Sequence, residues 1–450
     1  MAAAALSSAA KGALLPRARG AHGGLARALL LGGASVTFSF SLISAMAAST
    51  MALLPAAMRS ILGARSNRVL RAARDLQAGG GRGGGGSSGL LRRWQSSLPQ
   101  LEHVDRSDEE SGGEIDWDNL GFGLTPTDYM YVMRSSPEDL GAFPRGELCR
   151  YGNIELSPSS GVLNYAQGLF EGMKAYRRPG RAGYTLFRPE ENARRMQHGA
   201  ERMCMPAPSV DQFVSAVKET VLANRRWVPP QGKGALYLRP LLMGSGPILG
   251  LAPAPEYTFL IYAAPVGNYF KEGLAPINLV VDDEFHRAMP GGTGGVKTIA
   301  NYAPVLKAQM DAKSKGFTDV LYLDSVHKRY LEEVSSCNVF VVKGGVVATP
   351  ATRGTILPGI TRKSVVELAR DRGYKVEERL VSIDDLIDAD EVFCTGTAVV
   401  AAPVSTVTYQ GRRHEFRTGP DTVSQELYTT LTSIQMGLAE DSKGWTVAVD

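Results

Sequence analysis

The chain has 450 residues, 44% hydrophobic and 21% charged, and its 49 basic and 45 acidic residues leave a formal net charge of +4. That composition excludes disorder or a collagen-like architecture for the bulk of the chain, and the length suits two or three domains. So small a charge surplus excludes a molecule built as a whole to bind nucleic acid or anionic membrane.

The first 101 residues are dominated by Ala, Ser, Gly, Leu and Arg, with twelve basic residues and a single acidic one, Asp75. That is the make-up of a cleaved organelle transit peptide. Between Met51 and Ala73, Arg59, Arg65, Arg68 and Arg71 alternate with apolar residues, so an induced helix is basic on one side and apolar on the other. This favours a mitochondrial address, with a plastid address, or an upstream extension ahead of a second start at Met51, left open. The apolar run Ala34 to Ala48 is dotted with Ser and Thr and too short to span a bilayer. Gly79 to Gly89 is a flexible low-complexity linker, with no strand before it and no helix after it to make a dinucleotide fingerprint.

Folding matter begins near Trp117. Ser209 and Gln212 form a capping box, and Phe213, Val217 and Val221 recur at helical spacing, which predicts an amphipathic helix to about Arg226. Gly234 to Leu242 and Tyr257 to Val266 carry the aliphatic, β-branched and aromatic residues of strands. Gly267 to Pro276 is the best linker, dividing a small domain over 102–266 from a larger one over 277–450. Beyond it the pattern predicts a strand from Ile277 to Val281, a helix from Asn301 to Lys315 closed by Gly316, and a strand from Val320 to Asp324. A hairpin from Asn338 to Ala348 turns at Gly344 and Gly345, and a helix from Thr361 to Arg372 is capped by Gly373. A last strand ends in the Cys394 to Thr397 turn. Without strict βαβ alternation, two α+β domains are expected rather than one doubly wound sheet.

Cys149, Cys204, Cys337 and Cys394 are scattered, with no CxxC pair or Cys/His ligand spacing, so no zinc site or disulfide framework is expected and a reducing compartment is the default. Asp282, Asp283, Glu284 and His286 read as a solvated turn rather than a metal site. The densest signal is the run Gly291-Gly292-Thr293-Gly294-Gly295-Val296-Lys297-Thr298. It imitates a phosphate loop, but Val296 stands where that motif needs Gly, and its Cβ crowds the phosphate. A lysine held in a pocket partly screened from water serves differently, as a nucleophile toward carbonyls. Around it the sequence offers Tyr302, Glu333, and two turns with bare backbone amides: Leu357 to Thr361, which starts a helix, and Thr395 to Ala398, which ends a strand. An amine for an aldehyde, a carboxylate for a ring nitrogen, and amides with an arginine for a phosphate are what pyridoxal phosphate requires.

From about Asp116 to Asp450 the chain closely resembles plant branched-chain amino acid aminotransferases, which are pyridoxal-phosphate enzymes of fold type IV. The resemblance rests on Gly-Leu-Phe-Glu-Gly-Met-Lys-Ala-Tyr at 168 to 176, Asn192 to Met196, Leu236 to Pro240, Lys297 to Tyr302, Glu333 to Asn338, Leu357 to Arg362 and Gly396 to Ala398. Each is weak alone; in this order and spacing they are specific.

The resemblance implies an α+β, two-domain fold with a small α/β N-terminal domain and a larger pseudo-barrel α/β C-terminal domain. It implies that Lys297 is the Schiff-base lysine and proton shuttle, that Tyr302 bonds the cofactor's phenolic oxygen, and that Glu333 bonds its ring nitrogen. Arg195, the Ile360 and Thr361 amides, Gly396 and Thr397 resemble the phosphate cup and its turn. Tyr237 with the Thr397 and Ala398 amides matches the seat of the substrate α-carboxylate, and Arg239 that of a distal carboxylate. Tyr165, Phe170 and Tyr302 match the walls of the side-chain pocket, and Leu249 and Leu251 match residues reaching in from a partner in a homodimer. Leucine, isoleucine or valine with 2-oxoglutarate are then the implied substrates, with no nucleic acid, membrane or metal. Two alternatives stay open on these residues: a D-amino acid aminotransferase or aminodeoxychorismate lyase on the same scaffold, or a non-catalytic carrier of the cofactor.

Overall fold

The computed structural model describes residues 115–139, 141–180, 182–267 and 275–450. The expected transit peptide and glycine linker lie outside the described residues, as do positions 268–274 of the expected interdomain linker.

Eight strands form a first, antiparallel sheet: β1 (Tyr129–Ser135), β2 (Glu147–Arg150), β3 (Gly168–Phe170), β4 (Met173–Arg177), β5 (Tyr184–Phe187), β6 (Ala235–Gly244), β7 (Tyr257–Val266) and, from far along the chain, β17 (Thr446–Val449). Their order is β17-β5-β4-β6-β7-β1-β2, with β3, which follows the short helix α1 (Gly161–Tyr165), on the far end of β6. Alternation along β6 decides which face does what. Leu236, Leu238 and Leu242 are fully buried, with Phe259 and Ile261 of β7, against helices α2 (Pro189–Arg202) and α3 (Val210–Ala223). Tyr237 and Arg239, between them in sequence, turn to the opposite face and stay only partly buried. The capping box that opens α3 is present in both directions, Ser209 Oγ accepting from the Gln212 amide at 3.1 Å and Gln212 Oε1 from the Ser209 amide at 2.9 Å. Its Phe213, Val217 and Val221 are 1%, 0% and 0% exposed, and burial of such side chains stabilises by about 1.5–3 kcal/mol each.

The second sheet has nine strands: β8 (Ile277–Asp282), β9 (Asp319–Leu323), β10 (Leu331–Val334), β11 (Asn338–Lys343), β12 (Val346–Pro350), β13 (Lys375–Arg379), β14 (Glu391–Gly396), β15 (Val400–Tyr409) and β16 (Arg412–Glu415). Because β10 pairs with both β9 and β11, the run β10-β9-β8-β15-β14-β11 closes on itself. The seam is the single pair Glu333↔Asn338. Leu279, Leu321, Val339 and Val404 cluster inside the ring with Leu386 of the short helix α6 (Ile383–Ile387). On another side α5 (Ile360–Asp371) and α7 (Val423–Gln435) cover Phe340 and Phe393, whose rings stack 4.8 Å apart. The fold is α+β, as expected.

Several elements differ from expectation. The helix expected over Asn301 to Lys315 is a short 3-10 turn at Ile299–Asn301 followed, after a break, by α4 (Leu306–Ser314). Pro304 disfavours helical geometry at Ala303 and postpones the helix. The strand ending at the Cys394 to Thr397 turn is not the last: β15, β16, α7 and β17 follow it. The Gly344-Gly345 hairpin is as expected, with both glycines at positive φ (55° and 78°).

Candidate active site

Lys297 lies beside the end of β3 in the first sheet and near Glu333 of β10 in the second. Its loop is held at both ends. The Phe170 amide at the end of β3 donates to the Lys297 carbonyl at 3.1 Å, and the Thr298 hydroxyl to the Gly168 carbonyl at 2.9 Å. Behind it, the Asn301 amide group donates to the carbonyls of Thr293 and Val296, each at 2.8 Å, and the Gly295 amide donates to Gly354 at 2.8 Å. The glycine run therefore packs against the neighbouring 354–355 segment. Lys297 Nζ lies 3.1 Å from Tyr302 Oη and 4.6 Å from the centre of the Phe170 ring. Phe170 also meets Tyr302 edge-on at 4.8 Å and carries the Arg239 guanidinium at 4.9 Å, so four of the expected site residues share one aromatic surface.

Glu333 sits at the barrel seam and is 2% exposed. One of its oxygens accepts from Asn338 Nδ2 at 2.6 Å and from the Leu357 amide at 3.1 Å; the other meets Arg287 Nη1 at 2.6 Å. Burial pushes its carboxyl up to about 7 against the opposing pull of Arg287. Its neighbour Glu332 is also buried, with its carboxyl raised by burial, but only Glu333 makes the ion pair. Arg287 is not singled out by sequence reasoning, since no local pattern joins it to a carboxylate far along the chain.

Arg195, on α2, forms a bidentate pair with Glu171, Nε to Oε1 at 2.8 Å and Nη2 to Oε2 at 2.6 Å, and its third nitrogen donates to the Pro358 carbonyl at 3.2 Å. Burial works against its charge, and Glu171 more than offsets that, so its pKa is raised. Pro358 directly precedes the Gly359 cap of α5, so Arg195 lies at the end where the Ile360 and Thr361 amides have no carbonyl four residues back. Glu171, missed by sequence reasoning, is in turn held by Asn192 Nδ2 at 2.8 Å.

The β14–β15 turn closes the arrangement. Gly396 pairs with Val400, whose φ of 60° is a strained value for a β-branched residue. The Thr397 hydroxyl donates to the Gly172 carbonyl at 3.2 Å, and Lys174 Nζ to the Ala398 carbonyl at 2.8 Å. Gly172 is also where Tyr237 arrives: a Cβ there would lie 2.0 Å from Tyr237 Oη, which itself accepts from Arg239 at 3.2 Å. Phe122, ahead of the first strand and without any sequence signal, packs edge-on against Tyr237 at 5.1 Å.

Three expected site residues stand apart from this group. Tyr165, at the end of α1, donates its hydroxyl to the Leu249 carbonyl, and Leu249 and Leu251 are 90% and 86% exposed. The Asp282 to His286 segment is a turn in which Asp282 Oδ1 accepts from the Glu284 and Phe285 amides, both at 2.9 Å.

Comparison with known proteins shows the family. A family model described as amino-transferase class IV matches residues 168–407. Branched-chain-amino-acid aminotransferase 3, chloroplastic, of Arabidopsis thaliana is 68% identical over 335 residues, 74% of this chain and 81% of the relative. Branched-chain amino acid aminotransferase 1, mitochondrial, of Humulus lupulus is 60% identical over 356 residues, 79% of this chain and 90% of the relative. Among solved structures, the T.th. branched-chain amino acid aminotransferase with pyridoxamine 5'-phosphate matches with a TM-score of 0.62 at 27% identity, over 73% of this chain and 100% of that one.

Proposed function

This chain belongs to the class IV aminotransferases, and from that premise we propose how its residues divide the work. It is a branched-chain-amino-acid aminotransferase. The amino group of leucine, isoleucine or valine passes reversibly to 2-oxoglutarate, giving the branched 2-oxo acid and glutamate. The observation that carries the residue assignment is the Lys297 amine 3.1 Å from Tyr302 and over the Phe170 ring, near enough to the buried carboxylate Glu333 for its charge to act on it.

Those groups fit pyridoxal 5'-phosphate. Glu333, fixed by Asn338 and Arg287, would hold the ring nitrogen protonated; Tyr302 would hold the phenolic oxygen; Arg195, the free amides of Ile360 and Thr361, and the Gly396-Thr397 turn would hold the phosphate. When bound, the cofactor supplies the aldehyde that accepts the amino group and the ring that draws electrons from the substrate Cα. Lys297, as a free amine, would take the proton from the substrate Cα in one direction and give it back to that carbon in the other. Tyr237 and the Thr397 and Ala398 amides seat the α-carboxylate, which aims Cα at that amine. Phe170 and Tyr302 floor the side-chain pocket, and Arg239, lying on Phe170, receives the distal carboxylate of glutamate at its polar rim. The exposed Tyr165, Leu249 and Leu251 complete the pocket of a second copy in a homodimer, where their apolar surface is covered.

We further propose that the chain is organised as a small domain over 102–266 and a larger one over 277–450, joined by a linker at 267–276. An organelle address suits a chain whose relatives are named chloroplastic and mitochondrial, and the Arg-rich stretch at 51–73 favours mitochondria. Fusions of residues 1–101 and 51–101 to a fluorescent reporter test that choice; plastid fluorescence alone refutes it. Transfer to 2-oxoglutarate from leucine, and not from D-alanine, is expected of the purified enzyme. Transfer from D-alanine alone overturns the proposed substrates.

A further inference from the structure

A cavity of about 300 Å³ lies behind the β14–β15 turn, between the half-buried face of the first sheet and α7. That is at the lower end of the range for small-molecule sites. Tyr176 of β4 and Tyr428 of α7 line it with Val400 and Met436; Lys174 stands in its wall, and Lys233 and Asp118 pair with each other beside it.

Lys174 has no role in the transfer as described above. Its ammonium carries three donors and makes one hydrogen bond among the described residues, to the Ala398 carbonyl, and no carboxylate there pairs with it. Lys174 is half-buried, and that burial lowers its pKa to about 8. The titratable groups that share its cavity are Tyr176 on its own strand, Tyr428 on α7, and the Lys233–Asp118 pair. A half-buried cation with spare donors and no counter-charge is poorly compensated, and an anion entering the cavity would pair with it. The cavity wall exposes more polar than apolar surface, and within it the Tyr176 and Tyr428 rings offer a flat face to an aromatic body attached to that anion.

We propose that this cavity is a second small-molecule site, for a small aromatic monocarboxylate: Lys174 takes the carboxylate, and the flat ring lies along the two tyrosine rings. An occupant draws Lys174 from the Ala398 carbonyl and so loosens the turn. This consequence for catalysis rests on reading Thr397 and Ala398 as the seat of the substrate carboxylate; the binding itself does not.

The test titrates benzoate, and its neutral counterpart benzamide, into the cofactor-loaded full chain by calorimetry. One benzoate per chain is expected, with benzamide at least tenfold weaker. Binding falls at least tenfold in Lys174→Met, and equally in Met436→Trp, which fills the cavity from its partly exposed side and keeps leucine transfer within twofold. Benzoate bound as tightly in Met436→Trp as in the unaltered protein, or not bound at all by the latter, overturns the proposal. Because heat rather than turnover is read, an enzyme that fails to transfer from leucine still reports whether the cavity binds.

Discussion

Arg287 Nη1 and Glu333 Oε2 lie 2.6 Å apart with side chains only 2% and 3% exposed, which makes this the most enclosed ion pair among the described residues. Removing one partner of such a pair strands the other charge, at about 3–5 kcal/mol. Arg287→Met is therefore expected to lower the thermal unfolding temperature sharply. Glu333→Gln costs stability too and also lowers leucine transfer by at least about a hundredfold, since a neutral amide cannot hold a protonated ring nitrogen. The double variant is expected to be more stable than the sum of the two losses implies, by about 0.5–3 kcal/mol in a double-mutant cycle. Simple additivity in chemical denaturation rejects the coupling.

Lys297→Ala is expected to remove leucine transfer by at least about 10²–10⁴-fold, the range for a positioned acid–base group, together with the yellow absorbance of the loaded enzyme. Yellow colour and activity both retained in that variant reject Lys297 as the reacting amine.

Gly172→Ala places a methyl group 2.0 Å from where Tyr237 Oη now sits, so the ring must move. A charge-assisted hydrogen bond to the substrate carboxylate is worth about 1.5–3 kcal/mol. The KM for leucine is expected to rise about tenfold or more, with thermal stability little altered. An unchanged KM argues that Tyr237 does not seat the carboxylate.

Arg239→Met keeps the apolar cover on Phe170 and removes the charge. Steady-state kinetics are expected to show the KM for 2-oxoglutarate rising about tenfold or more, while the leucine half-reaction changes by less than about threefold. Equal losses for both substrates contradict a selective role.

Asp385 shows how pH enters stability. A hydrogen bond from Arg379 and those from Ser382 lower its carboxyl to about 2, below its ordinary value of 3.8. The stabilisation is complete above pH 3.8 and is lost as pH falls through about 2. Asp385→Asn should flatten the acid limb of a stability profile in that window and cost about 1 kcal/mol or less at neutral pH, because the pair is about a third exposed. An acid limb identical to the parent's assigns it elsewhere.

Legibility from sequence follows the range of the interaction. The α3 capping box and the Tyr257–Val266 strand rest on neighbours within a few residues, and they appear where the pattern places them. The helix after Lys297 starts later than its pattern predicts, because Pro304 outweighs an apolar spacing that otherwise continues. Lys297, Tyr302 and Phe170 are marked by motifs and do lie together. Their supports, Arg287 for Glu333 and Glu171 for Arg195, carry no such mark, since each acts through a partner distant in sequence. Leu249 and Leu251 show the opposite limit: their exposure makes no sense of the apolar side chains within one copy.

The strand Thr446–Val449 pairs with Tyr184–Phe187, so the outer edge of the first sheet is completed only by residues synthesised long after the strand they pair with. Until they arrive, β5 offers unpaired backbone groups to any passing extended segment.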